Sequence, residues 1–108
     1  EQFIGILVQD EPNLENWVLD IRGDDIALSE FAKKLADFSI DLFHYDSDKS
    51  YSGRVKALQI MKNKFSENAI IIFDDIQDNL HFHDFVTDKN VNFTVLKFDE
   101  KYVGIVGV

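Results

Sequence analysis

Two short apolar runs in this chain end in acids. Asp46 and Asp48 follow residues 40–45, Asp74 and Asp75 follow residues 69–73, and Lys49 stands close behind Asp46. Carboxylate oxygens suit hard divalent ions such as Mg²⁺, which take one or two carboxylates plus waters and substrate oxygens. A lysine beside them can accept a proton if burial depresses its pKa, an effect that neighbouring carboxylates oppose. In an open α/β sheet, ligands bind at the carboxyl ends of the strands, so the four acids and Lys49 would gather at one edge as a ligand site. The plainer use of Asp46 and Asp75 is to cap the helices that follow them, which Asp does well.

The elements that would position these residues are legible as periodicity. Residues 3–8 are strand-like, and residues 17–22 alternate well enough for a strand closed by Gly23-Asp24. Asp24 or Asp25 can cap a helix over residues 26–37, with Leu28, Phe31 and Leu35 on one face. Residues 40–45 form the next strand, and Ser50 can cap a helix over residues 51–65. Tyr51, Val55, Leu58, Met61 and Phe65 are spaced as the buried stripe of that helix. Glu67-Asn68 reads as a turn before the apolar run at 69–73, which has the character of a central parallel strand. A short helix over 78–88 follows. Strands at 92–98 and 102–107 are joined too closely for anything but an antiparallel hairpin. The order is β-α-β-α-β-α-β-β, an α/β fold in a single domain spanning residues 1–108.

Composition narrows the function. The 108 residues are 45% hydrophobic and 29% charged, with ten Phe to build a core. The net charge of −9 argues against nucleic acid and anionic membrane as partners. No apolar run approaches the roughly 20 residues of a membrane span. Without Cys there is no disulfide framework or thiolate chemistry, which permits a reducing cytoplasm, the expected location. His81 and His83 would point to different sides of their helix, and His44 lies within a strand near Asp46.

An alternating β/α chain that closes with a hairpin resembles the C-terminal half of a class I S-adenosylmethionine-dependent methyltransferase. That family has a Rossmann-like sheet with helical crossovers, and its last strand is inserted antiparallel. Asp46-Ser47-Asp48-Lys49-Ser50-Tyr51 resembles the D-x-D-K-x-x-Y segment of the family's metal-dependent O-methyltransferases, with Tyr51 one residue out of step. Ile72-Phe73-Asp74-Asp75 resembles the D-N or D-D that ends their next strand, and Trp17 to Asp24 resembles the strand before. The resemblance covers roughly residues 17–108. It implies Asp46, Asp74 and Asp75 as metal ligands, Lys49 as the general base that takes a proton from a substrate hydroxyl, and Asp24 and Asp46 as cofactor-binding residues, Asp24 at the adenine end. The implied cofactors are S-adenosylmethionine and Mg²⁺, and the implied substrate is a small hydroxylated metabolite.

One departure is large. The family's glycine-rich turn and the ribose-holding acid after it have no counterpart, since no G-x-G occurs among the five glycines. The chain is therefore expected to be part of a longer enzyme and inactive alone. The alternative is a non-catalytic α/β binding or interaction domain. In the family's arrangement two strands would separate residues 17–22 from 40–45. Their absence leaves an open edge, and an unpaired strand edge invites association, so a homo-oligomer is expected.

Overall fold

The computed structural model describes Asp20 and residues 23–107, save the side chain of Asp24. The strand expected at 3–8 lies outside the described residues. So does the one at 17–22, apart from Asp20, which belongs to no helix or strand. From there the chain runs α1 (Asp24–Lys34), β1 (Ile40–Tyr45), α2 (Tyr51–Met61), β2 (Phe65–Phe73), a 3-10 turn (Ile76–Asp78), α3 (His81–Lys89), β3 (Asn92–Phe98) and β4 (Lys101–Gly107). Four strands form one mixed sheet in the order β1-β2-β4-β3. β1 and β2 are parallel, as a helical crossover between them requires. The last strand, β4, lies antiparallel between β2 and β3. Among the described residues no helix is long and apolar enough to cross a membrane.

Side-chain alternation divides the sheet into two unlike faces. Tyr45, Ile71, Phe73 and Val106 point to one side and pack with Ala57 of α2 and with Phe82 and Val86 of α3. On the other side Leu42, Ile70, Leu96 and Phe98 remain between 42% and 60% exposed, which leaves an apolar surface open. β3 is an edge strand with every residue exposed.

The helix starts follow local chemistry. Ser50 caps α2 by accepting a hydrogen bond from Gly53 N at 3.0 Å, as its position predicts. At α1 the expected Asp cap is replaced by Gly23. Asp24 and Asp25 then fall in the first turn, where negative charge suits the helix dipole, and Lys33 and Lys34 fall in the last. Asp46 and Asp75 cap nothing through their side chains: Ser50 does that work for α2, and Asp75 makes no side-chain cap bond to the 3-10 turn.

Several expected boundaries need correction: α1 ends at Lys34, not residue 37, and α3 begins at His81, not residue 78. α2 ends at Met61, not near residue 65, and β2 begins at Phe65, so Glu67 and Asn68 lie within a strand. Phe65 pairs with Ile40 and packs edge-on against Phe43 at 5.7 Å. Between the pairs Ile40↔Phe65 and Leu42↔Ile70 the register slips, and the extra length of β2 forms an exposed bulge at Glu67-Asn68. A polar dipeptide that looks like a turn is here the bulge of a longer strand.

Gly104 lets α3 sit down on the sheet. A Cβ there would stand 2.3 Å from Phe82 Cε1, inside the core. Gly104→Ala is therefore expected to force the ring aside and cost about 1–3 kcal/mol, read as a lower urea midpoint with unchanged slope.

Candidate functional site

Parallel pairing of β1 and β2 sets Tyr45 opposite Phe73, so both strands end side by side. Asp74 N donates to Tyr45 O at 3.1 Å and closes the pair. Asp46 leaves β1 at this edge, and Asp74 and Asp75 leave β2. Asp75 adopts φ 51°, a left-handed conformation that Asp tolerates better than most residues. The turn brings the second carboxylate to the same side as the first. Asp46, Asp74 and Asp75 each offer an oxygen within 4.8 Å of the others.

Lys49 sits among them. Its ammonium donates to Asp46 and lies 3.4 Å from Asp75 Oδ2 and 3.8 Å from Asp74 Oδ2. Three carboxylates against one ammonium leave the cluster negative. Lys101, at the start of β4, approaches Asp75 Oδ1 to 4.0 Å but is mostly exposed. The hydrogen bond from Lys49 holds the Asp46 carboxyl below its ordinary pKa, against a smaller opposing effect of burial. Asp75 is lowered first by its bond from Gln77 and then by Lys49. For Lys49 burial is the largest single influence and pulls downward. The hydrogen bonds to Asp46 and Asp75 and the charges of Asp46 and Asp74 outweigh it, so the net shift is upward. With its carboxylates free, Lys49 is an ammonium and not a base.

The donor set fits a hard cation. Opposite oxygens around Mg²⁺ lie about 4.2 Å apart and around Ca²⁺ about 4.8 Å, so the cluster is within side-chain adjustment of either shell. Lys49 must swing aside to admit the ion.

Beneath the cluster lies a residue that periodicity did not reveal. Arg54 is 1% exposed. It belongs to the buried stripe of α2, Arg54-Ala57-Met61, which shares Met61 with the expected stripe Tyr51-Val55-Leu58-Met61-Phe65 but turns Arg54 and Ala57, not Val55 and Leu58, fully inward. Arg54 Nε donates to Lys49 O at 3.2 Å, and Nη2 donates to Asp74 O at 2.9 Å and Asp75 O at 3.2 Å. Its guanidinium lies over the Tyr45 ring at 5.6 Å. Asn79 Nδ2 adds a second bond to Lys49 O at 2.8 Å. A charged residue one step off an apolar stripe was the available signal.

The remaining candidates fall elsewhere. The Asp48 carboxylate accepts from Ser50 N at 2.9 Å and lies against Gly53, away from the cluster. Asp24 opens α1, whose next residue, Asp25, pairs with Lys56 at 3.0 Å. A cleft of about 710 Å³ runs between α1, β1 and α2, with Leu28, Phe31 and Phe43 as apolar walls and Asp25, Asp46 and Asp48 among its polar groups. His44 is exposed and lines this cleft instead of packing into the core.

His83 is exposed beside Asp84, whereas His81 is buried among Phe73, Phe85 and Tyr51, and its Nδ1 has no partner. Burial, reinforced by the charge of Arg54, lowers the His81 pKa; Asp84 opposes this. The unfolded chain binds that proton near pH 6.5, so the native state binds it less readily. The stability His81 contributes is full above about pH 6.5 and is lost as pH falls toward the folded value. The melting temperature is expected to drop between pH 7 and 5, and the drop to shrink in His81→Phe. A parallel pH series for both chains by circular dichroism checks this.

No protein-family model and no curated protein sequence matches the chain, so the arrangement of these residues carries the functional argument.

Proposed function

We propose that this chain is the acceptor-side half of an S-adenosylmethionine-dependent methyltransferase that moves a methyl group to a hydroxyl of a small metabolite with the help of a divalent ion. The observation that carries the reading is the shared edge of β1 and β2. Three carboxylates and a lysine, in the order that such enzymes use, meet there on parallel strand ends. The sheet order supports it, because an antiparallel last strand between two strands parallel to each other is the insertion that this family would require.

In this reading Asp46, Asp74 and Asp75 would hold the ion, which would make a substrate hydroxyl more acidic. Lys49 takes the hydroxyl proton. Its high proton affinity comes from the same three carboxylates, so engaging them elsewhere leaves burial as the dominant influence and turns Lys49 toward a base. The fold's task is then to align acceptor oxygen, methyl carbon and leaving sulfur. The cleft beside Asp46, walled by Phe31 and Phe43 and bounded by α1, whose first residue is Asp24, suits the adenine end of the cofactor. The glycine-rich turn for its other end is not among these residues and has to be supplied from outside them.

Calorimetric titration with S-adenosylhomocysteine, with and without Mg²⁺, tests the proposal. Micromolar binding would mean that the chain completes a cofactor pocket. A folded chain that binds Mg²⁺ but not S-adenosylhomocysteine would mean that the rest of the pocket is supplied from outside it, and a folded chain that binds no Mg²⁺ would overturn the proposal. The second reading, a non-catalytic α/β domain, is favoured by one observation: Lys49 already fills the cluster and could serve as a cross-link between the two strand ends. Mg²⁺ would then leave the melting temperature unchanged.

The open apolar face and the exposed edge of β3 lead us to expect self-association of the isolated chain. Light scattering over a concentration series is the check, and a monomer throughout would refute it.

A further inference from the structure

Arg54 is a costly residue to bury. A guanidinium loses its hydration on entering a core, and an apolar side chain of similar volume commonly serves stability as well or better. Here it lies 1% exposed, and among the described residues it makes no salt bridge. What it holds instead is backbone: Lys49 O on the loop after β1, and Asp74 O and Asp75 O on the turn after β2. Those two segments carry all four side chains of the cluster. One planar fork thus spans the gap between them from below, while the carboxylates face outward. Asn79 steadies Lys49 O from the side. A hydrophobic residue could fill this volume but could not set the distance between the two segments.

We propose that Arg54 is the positioning residue that sets the spacing of Asp46 relative to Asp74 and Asp75, and through it the affinity of the cluster for divalent ions and its choice between small and large ones. This rests on the reading of the cluster as a cation site. The three carboxylate oxygens lie within 4.8 Å of one another, no wider than a Ca²⁺ shell, and a Mg²⁺ shell demands closer oxygens, so a change in spacing shifts the preference. Outer residues that orient metal ligands commonly change affinity 10–100-fold when replaced.

The experiment titrates the chain with Mn²⁺ alone, followed by electron paramagnetic resonance, and then displaces Mn²⁺ with Mg²⁺ or Ca²⁺. The proteins are wild type, Arg54→Met and Arg54→Lys, each checked for folding by circular dichroism. The expected result is 10–100-fold weaker Mn²⁺ binding in folded Arg54→Met, with a changed ratio of Mg²⁺ to Ca²⁺ affinity. Arg54→Lys should lie between the two, because one ammonium keeps the charge but cannot bridge both segments as the fork does. Unchanged affinity and ratio in folded Arg54→Met would overturn the proposal. If Arg54→Met does not fold, Arg54→Lys decides: wild-type affinity and ratio there overturn the proposal, and weakened binding supports it. Wild type that binds no Mn²⁺ overturns the cation-site reading itself and this inference with it, an outcome distinct from equal binding in wild type and variants.

Discussion

Asp74→Asn is expected to weaken divalent-ion binding at least ~100-fold while leaving the fold intact, because the substitution removes charge and keeps shape. Asp74 Oδ1 accepts from Asp75 N at 3.0 Å, a bond that an asparagine oxygen can also accept. The backbone ties from Asp74 N to Tyr45 O and from Arg54 to Asp74 O do not involve the side chain. Lys49 keeps Asp46 and Asp75 as partners. The amide nitrogen would instead turn a donor toward the position where a cation needs an acceptor. Calorimetry with Mn²⁺ or Mg²⁺ reads the affinity, and the melting temperature without ion reads the fold. Equal ion binding in Asp74→Asn and wild type would remove Asp74 from the ligand set.

Lys49→Met is expected to act in the opposite direction on binding and to slow turnover of the longer enzyme. In the ion-free chain the Lys49 ammonium occupies the centre of the cluster, so an incoming cation competes with it. Removing the competitor should tighten ion binding about tenfold. Even at the dielectric of bulk water a unit charge about 4 Å from a divalent ion repels it by about 2 kcal/mol, of which part is relieved when the side chain swings away. Without ion, the variant leaves three carboxylates close together with no lysine among them. Asp46 and Asp75 lose the Lys49 contacts that hold their carboxyls below the ordinary range, so the stability that these two carboxylates lose as pH falls through that range should shrink in the ion-free variant. In the longer enzyme that supplies the rest of the cofactor pocket, loss of the proton acceptor should lower the rate by about 10²–10⁴-fold. Tighter ion binding with slowed turnover separates a general base from a structural cross-link, which would show lost stability and no change in turnover.

The two predictions have opposite signs for neighbouring residues of one cluster, and simple destabilisation by either substitution would not produce that pattern. They also bear on Arg54. If Asp74→Asn and Arg54→Met both weaken binding, the double variant should lose less than the sum, because Arg54 acts through the position of Asp74.

Much of this arrangement was legible in the chain. The run at 69–73 is too apolar for a surface element, and acids directly after it must lie at a strand end. Ser50 marks the start of α2 because its hydroxyl can satisfy the free amide at Gly53. The short Asp99-Glu100 connection can only join antiparallel neighbours. These features depend on a few residues in sequence, and local stereochemistry decides them. Elsewhere local reasoning misled. Glu67-Asn68 has turn composition, yet pairing of Phe65 with Ile40 draws it into β2 as a bulge. Arg54 has the charge of a surface residue, yet three backbone carbonyls on two other segments receive it in the interior.

By itself, then, the sequence determined the alternation of helices and strands beyond residue 23, the terminal hairpin, and the attachment of Asp46, Asp74 and Asp75 to strand ends. Periodicity, capping and chain connectivity act over short distances, and they suffice for that. Only the tertiary structure decided that β1 and β2 are neighbours with β4 inserted beyond them, that oxygens of the three carboxylates come within 4.8 Å of one another, and that Lys49 stands among them with Arg54 beneath. Those facts depend on which strand edges pair and on which groups compensate a buried charge, both settled by contacts between residues far apart in the chain.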